Sequence, residues 1–227
     1  MLHFFYKKIC IYQKNVLTLH RDLEANRMTH MERGKKTLYI IAGCNGAGKT
    51  TASLSILPEV LDCQEFVNAD EIARGLSPLN PYSMAIDAGK LMKLRFDQLV
   101  EGDTNFAMET TLSARTYTKL VSRAHEKGFE VHLIFFWLAT PETAITRVAQ
   151  RVQEGGHDVP RMTIIRRYYV GLNNLFNLFM PIVDAWMLYD NSDMSKVLVA
   201  AGGAHLKTEV YNEKLFNDIK QLCLLKN

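Results

Sequence analysis

An α/β fold built on a mostly parallel sheet, with helices on both faces, is what this 227-residue sequence predicts, and three observations predict it. From Thr37 onward, short apolar strand-like runs alternate with amphipathic helical stretches, the order that gives a parallel sheet. The first run, TLYIIA (Thr37 to Ala42), leads straight into GCNGAGKTT (Gly43 to Thr51). There Gly43, Gly48, Lys49 and Thr50 satisfy GxxxxGK[ST], the P-loop pattern, in its required setting of strand before and helix after. The third observation is composition. With 48% hydrophobic and 22% charged residues the chain can bury one substantial core, and its longest uncharged apolar run, Val131 to Pro141, is far too short to span a membrane.

The elements are then assigned in chain order. Residues 1–34 mix aromatics, lysines and polar residues without a sustained period, and read as a flexible extension ahead of a domain covering 35–227. Met28 and Met31 offer alternative starts, and Asn15 to Asn26 an alternative peripheral helix. Lys7 and Lys8 break up Met1 to Tyr12, so no secretory h-region forms and a cytoplasmic protein is expected. After the strand at Thr37 and the loop, a helix runs from Lys49 to about Leu57. A second strand, Glu65 to Asn68, ends at Ala69-Asp70-Glu71. Pro78, Asn80 and Pro81 make a loop, after which Ser83 is expected to cap a helix reaching about Glu101. A third strand, Asn105 to Met108, ends at Glu109-Thr110-Thr111. Helix Ala114 to Lys127 stops at Gly128, the expected residue just past a helix end, and strand Glu130 to Leu138 comes next. Thr140 caps the next helix, with Pro141 at its first position and Gly155-Gly156 at its end. A further helix covers Pro160 to about Phe179. Extended runs at Trp186 to Tyr189 and Lys196 to Ala200 lead to a terminal helix, Asn212 to Leu225.

Charge and cysteine usage exclude several classes. The net charge is +3, but Met1 to Lys36 carries eight Lys or Arg against three Asp or Glu, leaving 19 basic against 21 acidic residues in the rest. A body so balanced gives no electrostatic ground for binding nucleic acid. Cys10, Cys44, Cys63 and Cys223 form no CxxC pair, so reduced thiols without structural zinc are expected. Cys44 lies inside the loop, where oxidation would block a nucleotide, although a variable loop position is the plainer reading.

The chemistry gathers at one edge. Ligands of open parallel sheets lie beyond the carboxyl ends of the strands, which brings Gly43, Cys44, Asn45, Gly46, Ala47, Gly48, Lys49, Thr50 and Thr51 together with Asp70 and with Glu109, Thr110 and Thr111. Glycines let backbone N–H groups curl round a phosphate, and the helix that begins there adds its positive end. Lys49 is expected to reach the outer phosphates of ATP, and the Thr50 hydroxyl to hold Mg2+. Asp70 is the candidate base that takes a proton from an acceptor hydroxyl, with helix capping as the alternative role. Glu109 reads as a substrate or magnesium ligand or a buried structural acceptor, and Thr110 and Thr111 as donors to substrate. Cations come later: Arg147 and Arg151 share a helix face, and His157, Arg161, Arg166 and Arg167 lie beyond the glycine pair. A glycine hinge before a basic helix suits a helical lid, which makes Arg151, Arg166 and Arg167 candidate phosphate contacts, a solvated basic face being the alternative. Asp190-Asn191-Ser192 is either a wall of the base pocket or a plain turn. Tyr168, Tyr169, Leu172, Leu175 and Phe176 read as core.

Taken together, GCNGAGKTT, FVNADEIARGLSP, FAMETTLS, RVAQRVQEGGHDVP and RRYYVGLNNL resemble the zeta-toxin family of P-loop kinases, over about Thr37 to Ser192. The resemblance implies a three-layer α/β/α P-loop NTPase fold of small-molecule-kinase type and an ATP- and Mg2+-dependent transfer to the 3′-hydroxyl of UDP-N-acetylglucosamine. It also implies a small antitoxin that covers the nucleotide site. By motif, Lys49 and Thr50 match the P-loop pair, Asp70 the base, Glu109 and Thr111 the substrate-contacting acid and hydroxyl, and arginines from Arg151 onward the lid. The chain departs at Ser113, where those toxins carry an arginine, and at Asn68-Ala69-Asp70, where they have a DxD-like setting. The acceptor therefore stays open between a UDP-amino sugar and a nucleoside, dinucleotide or antibiotic. A nucleotide-gated regulatory ATPase module is the reading from a different class.

Overall fold

The structure, a computed structural model, describes residues 36–193 and 196–224. The proposed extension, the alternative starts, the Asn15 to Asn26 helix and Cys10 lie outside the described residues. Seven strands form one sheet in the order β2-β3-β1-β4-β5-β6-β7: β1 (Thr37–Ala42), β2 (Glu65–Asn68), β3 (Phe106–Thr110), β4 (Glu130–Trp137), β5 (Ala185–Asp190), β6 (Val197–Gly203) and β7 (Leu206–Val210). The first five run parallel, and β6 and β7 are added antiparallel. The helices are α1 (Lys49–Glu59), α2 (Ala69–Leu76), α3 (Ala85–Leu99), α4 (Tyr117–Glu126), α5 (Pro141–Gln153), α6 (Arg161–Asn174) and α7 (Glu213–Leu224). A π-helical turn, Leu175–Phe179, prolongs α6.

Because successive strand residues point to opposite faces, β1 feeds two cores at once. Leu38, Ile40 and Ala42 pack with Met92 and Phe96 of α3, Val121 of α4 and Ile219 of α7. On the other face Tyr39 and Ile41 pack with Ile56 of α1, Val148 of α5 and Tyr168 of α6. All six residues of β1 are buried, which is why it reads as a continuous apolar run with no alternation. Each Leu, Ile or Phe so buried stabilises by roughly 1.5–3 kcal/mol. Three layers result, and β1, the middle of the five parallel strands, carries the glycine loop.

Three local expectations are revised. Ser83 does not cap α3: it lies in a 3-10 turn, Pro81–Met84, and its hydroxyl donates to Asn80 O, so α3 starts at Ala85 without a side-chain cap. Strand β3 runs two residues further, so Glu109 and Thr110 belong to it, opposite Ile41 and Ala42. Helix α2 and strand β7 were not delimited by the sequence, since α2 is short and β7 (LKTEV) is a mostly exposed edge strand without apolar alternation. The cap at Thr140 is present, its Oγ1 accepting from Thr143 N at 3.1 Å, with Pro141 opening α5.

Candidate active site

The loop between β1 and α1 can only be made with glycine at its ends. Gly43 sits at φ 143°, with its missing Cβ only 2.4 Å from Phe136 O, and Gly48 at φ 81° opens α1. Any side chain there would need the left-handed region that L-residues avoid. Between them Cys44, Asn45 and Ala47 are buried, while Thr51 faces outward. Burial pushes the Cys44 thiol up to about 11, so it is protonated and unreactive at neutral pH, contrary to what redox control would need.

Support comes from a place where the sequence left two readings open. Asn191, at the end of β5, is buried and donates from Nδ2 to Ala47 O at 2.7 Å. Arg147 of α5 donates to Asn191 O and Ser192 O, both at 2.8 Å. The Asp190-Asn191-Ser192 turn therefore braces the glycine loop, and Arg147 braces the turn. Asn191→Ala strands the Ala47 carbonyl, and is expected to cost about 1–3 kcal/mol of stability, read as a lower Tm, together with weaker nucleotide binding. Unchanged melting would remove Asn191 from this role.

Inside the loop, the buried Lys49 ammonium donates to Cys44 O at 2.9 Å and lies 3.6 Å from Glu109 Oε1. Thr50 Oγ1 donates to Glu109 Oε2 at 2.8 Å. One carboxylate thus spans the lysine and the hydroxyl. Burial, more than any other influence, pushes the Glu109 carboxyl above its ordinary range, with Lys49 pulling the other way.

Asp70 takes its place from α2. That helix is capped by Asn68, whose Oδ1 accepts from Asp70 N at 2.8 Å and Glu71 N at 3.4 Å. Asp70 is therefore not the cap. Its side chain, 45% exposed, opens into a cavity of about 200 Å³ shared with Lys49, Glu109, Thr110, Thr111 and Arg167. Ser113, Ala114 and Tyr117 also line it; Ser113 is where the family's arginine is missing, while Ala114 and Tyr117 were marked by no motif, since small and aromatic side chains after a strand give no signal on their own.

Helix α6 ties the glycine loop to the segment that follows β3. Arg167 Nη1 donates to Asn45 Oδ1 at 3.1 Å. One turn on, Gly171 lets Thr111 O approach to 2.4 Å of where a Cβ would stand, and Asn174 Nδ2 donates to Leu112 O at 2.8 Å. Leu112 is held at φ 58°, with its N–H on Thr110 Oγ1. The middle of α6 is packed into the core through Ile164, Tyr168 and Leu172, and the Tyr168 hydroxyl donates to Leu138 O. Of the three arginines proposed for phosphate, Arg167 lines the cavity. Arg151 turns to His157 O, and Arg166 is exposed.

A glycine-rich loop opening a helix at the edge of a parallel sheet, with a lysine, a hydroxyl and two carboxylates gathered round it, defines the P-loop kinase class. The chain belongs to the zeta toxin family, whose model matches residues 21–178. It is 32% identical to an uncharacterized protein of Haemophilus influenzae over 126 residues, 56% of this chain and 88% of that protein. The fold is similar to a chain from the crystal structure of AvrRxo1-ORF1:-ORF2 with ATP, at a TM-score of 0.68 and 18% identity, covering 98% of this chain and 73% of that one. It is also similar to a chain of the PezAT chromosomal toxin-antitoxin system of Streptococcus pneumoniae, at a TM-score of 0.58 and 18% identity, covering 90% and 92%. No helix among the described residues is long and apolar enough to cross a membrane.

Proposed function

We propose that this chain transfers the γ-phosphate of ATP to a hydroxyl group of a small molecule, with Asp70 as the base. The observation that carries the reading is the contrast between two carboxylates in one cavity. Glu109 is buried and engaged by Lys49 and Thr50, while Asp70 stays open to whatever enters. In the transfer, Asp70 takes the acceptor's proton, the acceptor oxygen bonds to the γ-phosphorus, and the bond from that phosphorus to the β,γ-bridging oxygen breaks, releasing ADP.

The loop residues Gly43 to Thr51 hold the phosphates through backbone N–H groups and Lys49, and Arg167 adds charge from α6. The Thr50 hydroxyl and the Glu109 carboxylate are oxygen donors of the type Mg2+ takes, and no cluster of three His, Cys, Asp or Glu residues suited to a metal occurs among the described residues. That suits an ion held by one or two protein oxygens together with substrate phosphates. When bound there, Mg2+ supplies charge neutralisation on the phosphates. Thr111 and Ser113, hydrogen-bonded to each other at 2.9 Å, face the acceptor side with Thr110 and Tyr117.

UDP-N-acetylglucosamine is the first acceptor to test, given the family, and a nucleoside, dinucleotide or antibiotic the next. The toxin-antitoxin assignment of the Streptococcus pneumoniae neighbour supports a small protein partner that covers the site. The unit that acts is residues 35–227, in the cytoplasm. Purified protein with Mg2+ and γ-labelled ATP is expected to move label into UDP-N-acetylglucosamine. Label passing only to another hydroxyl compound would reassign the acceptor, and ATP binding without transfer to any acceptor would overturn the kinase reading in favour of a nucleotide-gated module.

A further inference from the structure

The loop from Glu154 to Pro160, between α5 and α6, is tied more closely than a hinge requires. Gly155 adopts φ 88°, and a Cβ on Gly156 would meet Arg151 Cγ at 2.5 Å. Gly156 N donates to Arg151 O at 2.8 Å, and Arg151 Nη2 donates to His157 O at 3.0 Å. Held in this way, the His157 ring lies against the start of α2. Its Nε2 is 3.8 Å from Asp70 Oδ2, and the side chain is only 11% exposed. The other ring nitrogen, Nδ1, is buried without a hydrogen-bond partner.

A ring with one edge toward a carboxylate and the other toward nothing polar is suited to a single tautomer, neutral with the proton on Nε2. The charged groups that face it are Asp70, Glu71 and Arg74 of α2 and Arg151 of α5; burial, with Arg151 and Arg74 acting in the same direction, outweighs Asp70 and Glu71 and holds the imidazole below its ordinary range. A second proton on Nδ1 would have no acceptor there. Proton relay through the ring is therefore disfavoured, and what remains is a fixed donor beside the carboxylate.

The geometry points to His157 as the positioning residue for Asp70: its Nε2–H closes on Oδ2 when the site is filled and leaves Oδ1 to receive the acceptor's proton. Catalytic hydrogen bonds are often long before ligands bind and tighten afterwards. The inference rests on Asp70 being the base. It also gives Arg151 a task its sequence position did not suggest, that of clamping the loop which carries His157.

Two readouts separate this role from a merely structural one. The first needs no acceptor. In protein carrying 15N-histidine, the NMR titration of His157 is expected to move to lower pH in Asp70→Asn, because the carboxylate favours the charged ring; an unmoved titration overturns the contact. The second is kinetic, with UDP-N-acetylglucosamine and water as the acceptors used. His157→Leu is expected to slow transfer about ten- to a hundred-fold, the scale of a misplaced catalytic group, with KM for ATP and Tm unchanged. His157→Gln, which keeps an N–H at a similar reach, is expected to recover most of the rate. Equal slowing in both variants, no slowing, or a parallel loss of ATP affinity overturns the role. Should Asp70→Asn itself retain wild-type transfer, the base assignment falls, while the NMR titration still decides the contact.

Discussion

Replacing Asp70 with Asn is expected to lower phosphoryl transfer by roughly 10²- to 10⁴-fold, the usual range for a positioned general base, while ATP binds as before. The exchange is close to isosteric, and the residue's backbone N–H stays on Asn68 Oδ1, so α2 keeps its start. Asp70 and Glu71 both lie in the first turn of α2, where a carboxylate is stabilising, and losing one of them costs at most about 1 kcal/mol. The fold therefore survives and the loss falls on the chemistry. Single-turnover transfer from γ-labelled ATP and calorimetric ATP titration measure the two sides separately. Near-wild-type transfer would remove Asp70 from catalysis, and a collapse of ATP affinity would make it a nucleotide ligand instead.

The sequence announced those parts of the site whose chemistry depends on a short contiguous pattern. GCNGAGKTT behind TLYIIA could be read because the loop's glycines, lysine and threonine are adjacent in the chain and their spacing is imposed by a phosphate. Asp70 and Glu109 could be placed from the rule that ligands lie beyond the carboxyl ends of parallel strands, since Asp70 comes two residues after β2 and Glu109 near the end of β3, where it stands opposite Asn68. Contacts across long separations were hidden. Asn191 reaches Ala47 from 144 residues away and Arg167 reaches Asn45 across 122; nothing local distinguishes such an asparagine from a turn residue, or such an arginine from its exposed neighbour Arg166. Arg147 and Arg151 looked alike on one helix face, yet one braces a turn and the other a loop. Arg147 meets Asn191 from 44 residues away, whereas Arg151 meets His157 six residues on, across the turn at Gly155-Gly156.

Lys49→Met is expected to abolish nucleotide binding at ordinary ATP concentrations and to destabilise the protein in a pH-dependent way. Removing the ammonium leaves Glu109 with Thr50 as its remaining donor, at a site where the two side chains are 7% and 6% exposed. Breaking a buried pair on one side costs about 3–5 kcal/mol. The sign with pH comes from Glu109, whose folded carboxyl is raised by burial and held down in part by Lys49. A raised carboxyl binds its proton more tightly folded than unfolded, so its stabilising contribution is complete below the unfolded value and is lost as pH rises through the folded one. Without Lys49 that folded value rises further and the loss is larger. The Tm gap between wild type and Lys49→Met is therefore expected to be small near the unfolded carboxyl range and to widen toward neutrality. In Lys49→Met combined with Glu109→Gln the widening disappears, because nothing is left to ionise. A gap of constant size across that range would mean that the lysine stabilises through its bond to Cys44 O and its packing, and that the pairing with Glu109 contributes nothing measurable.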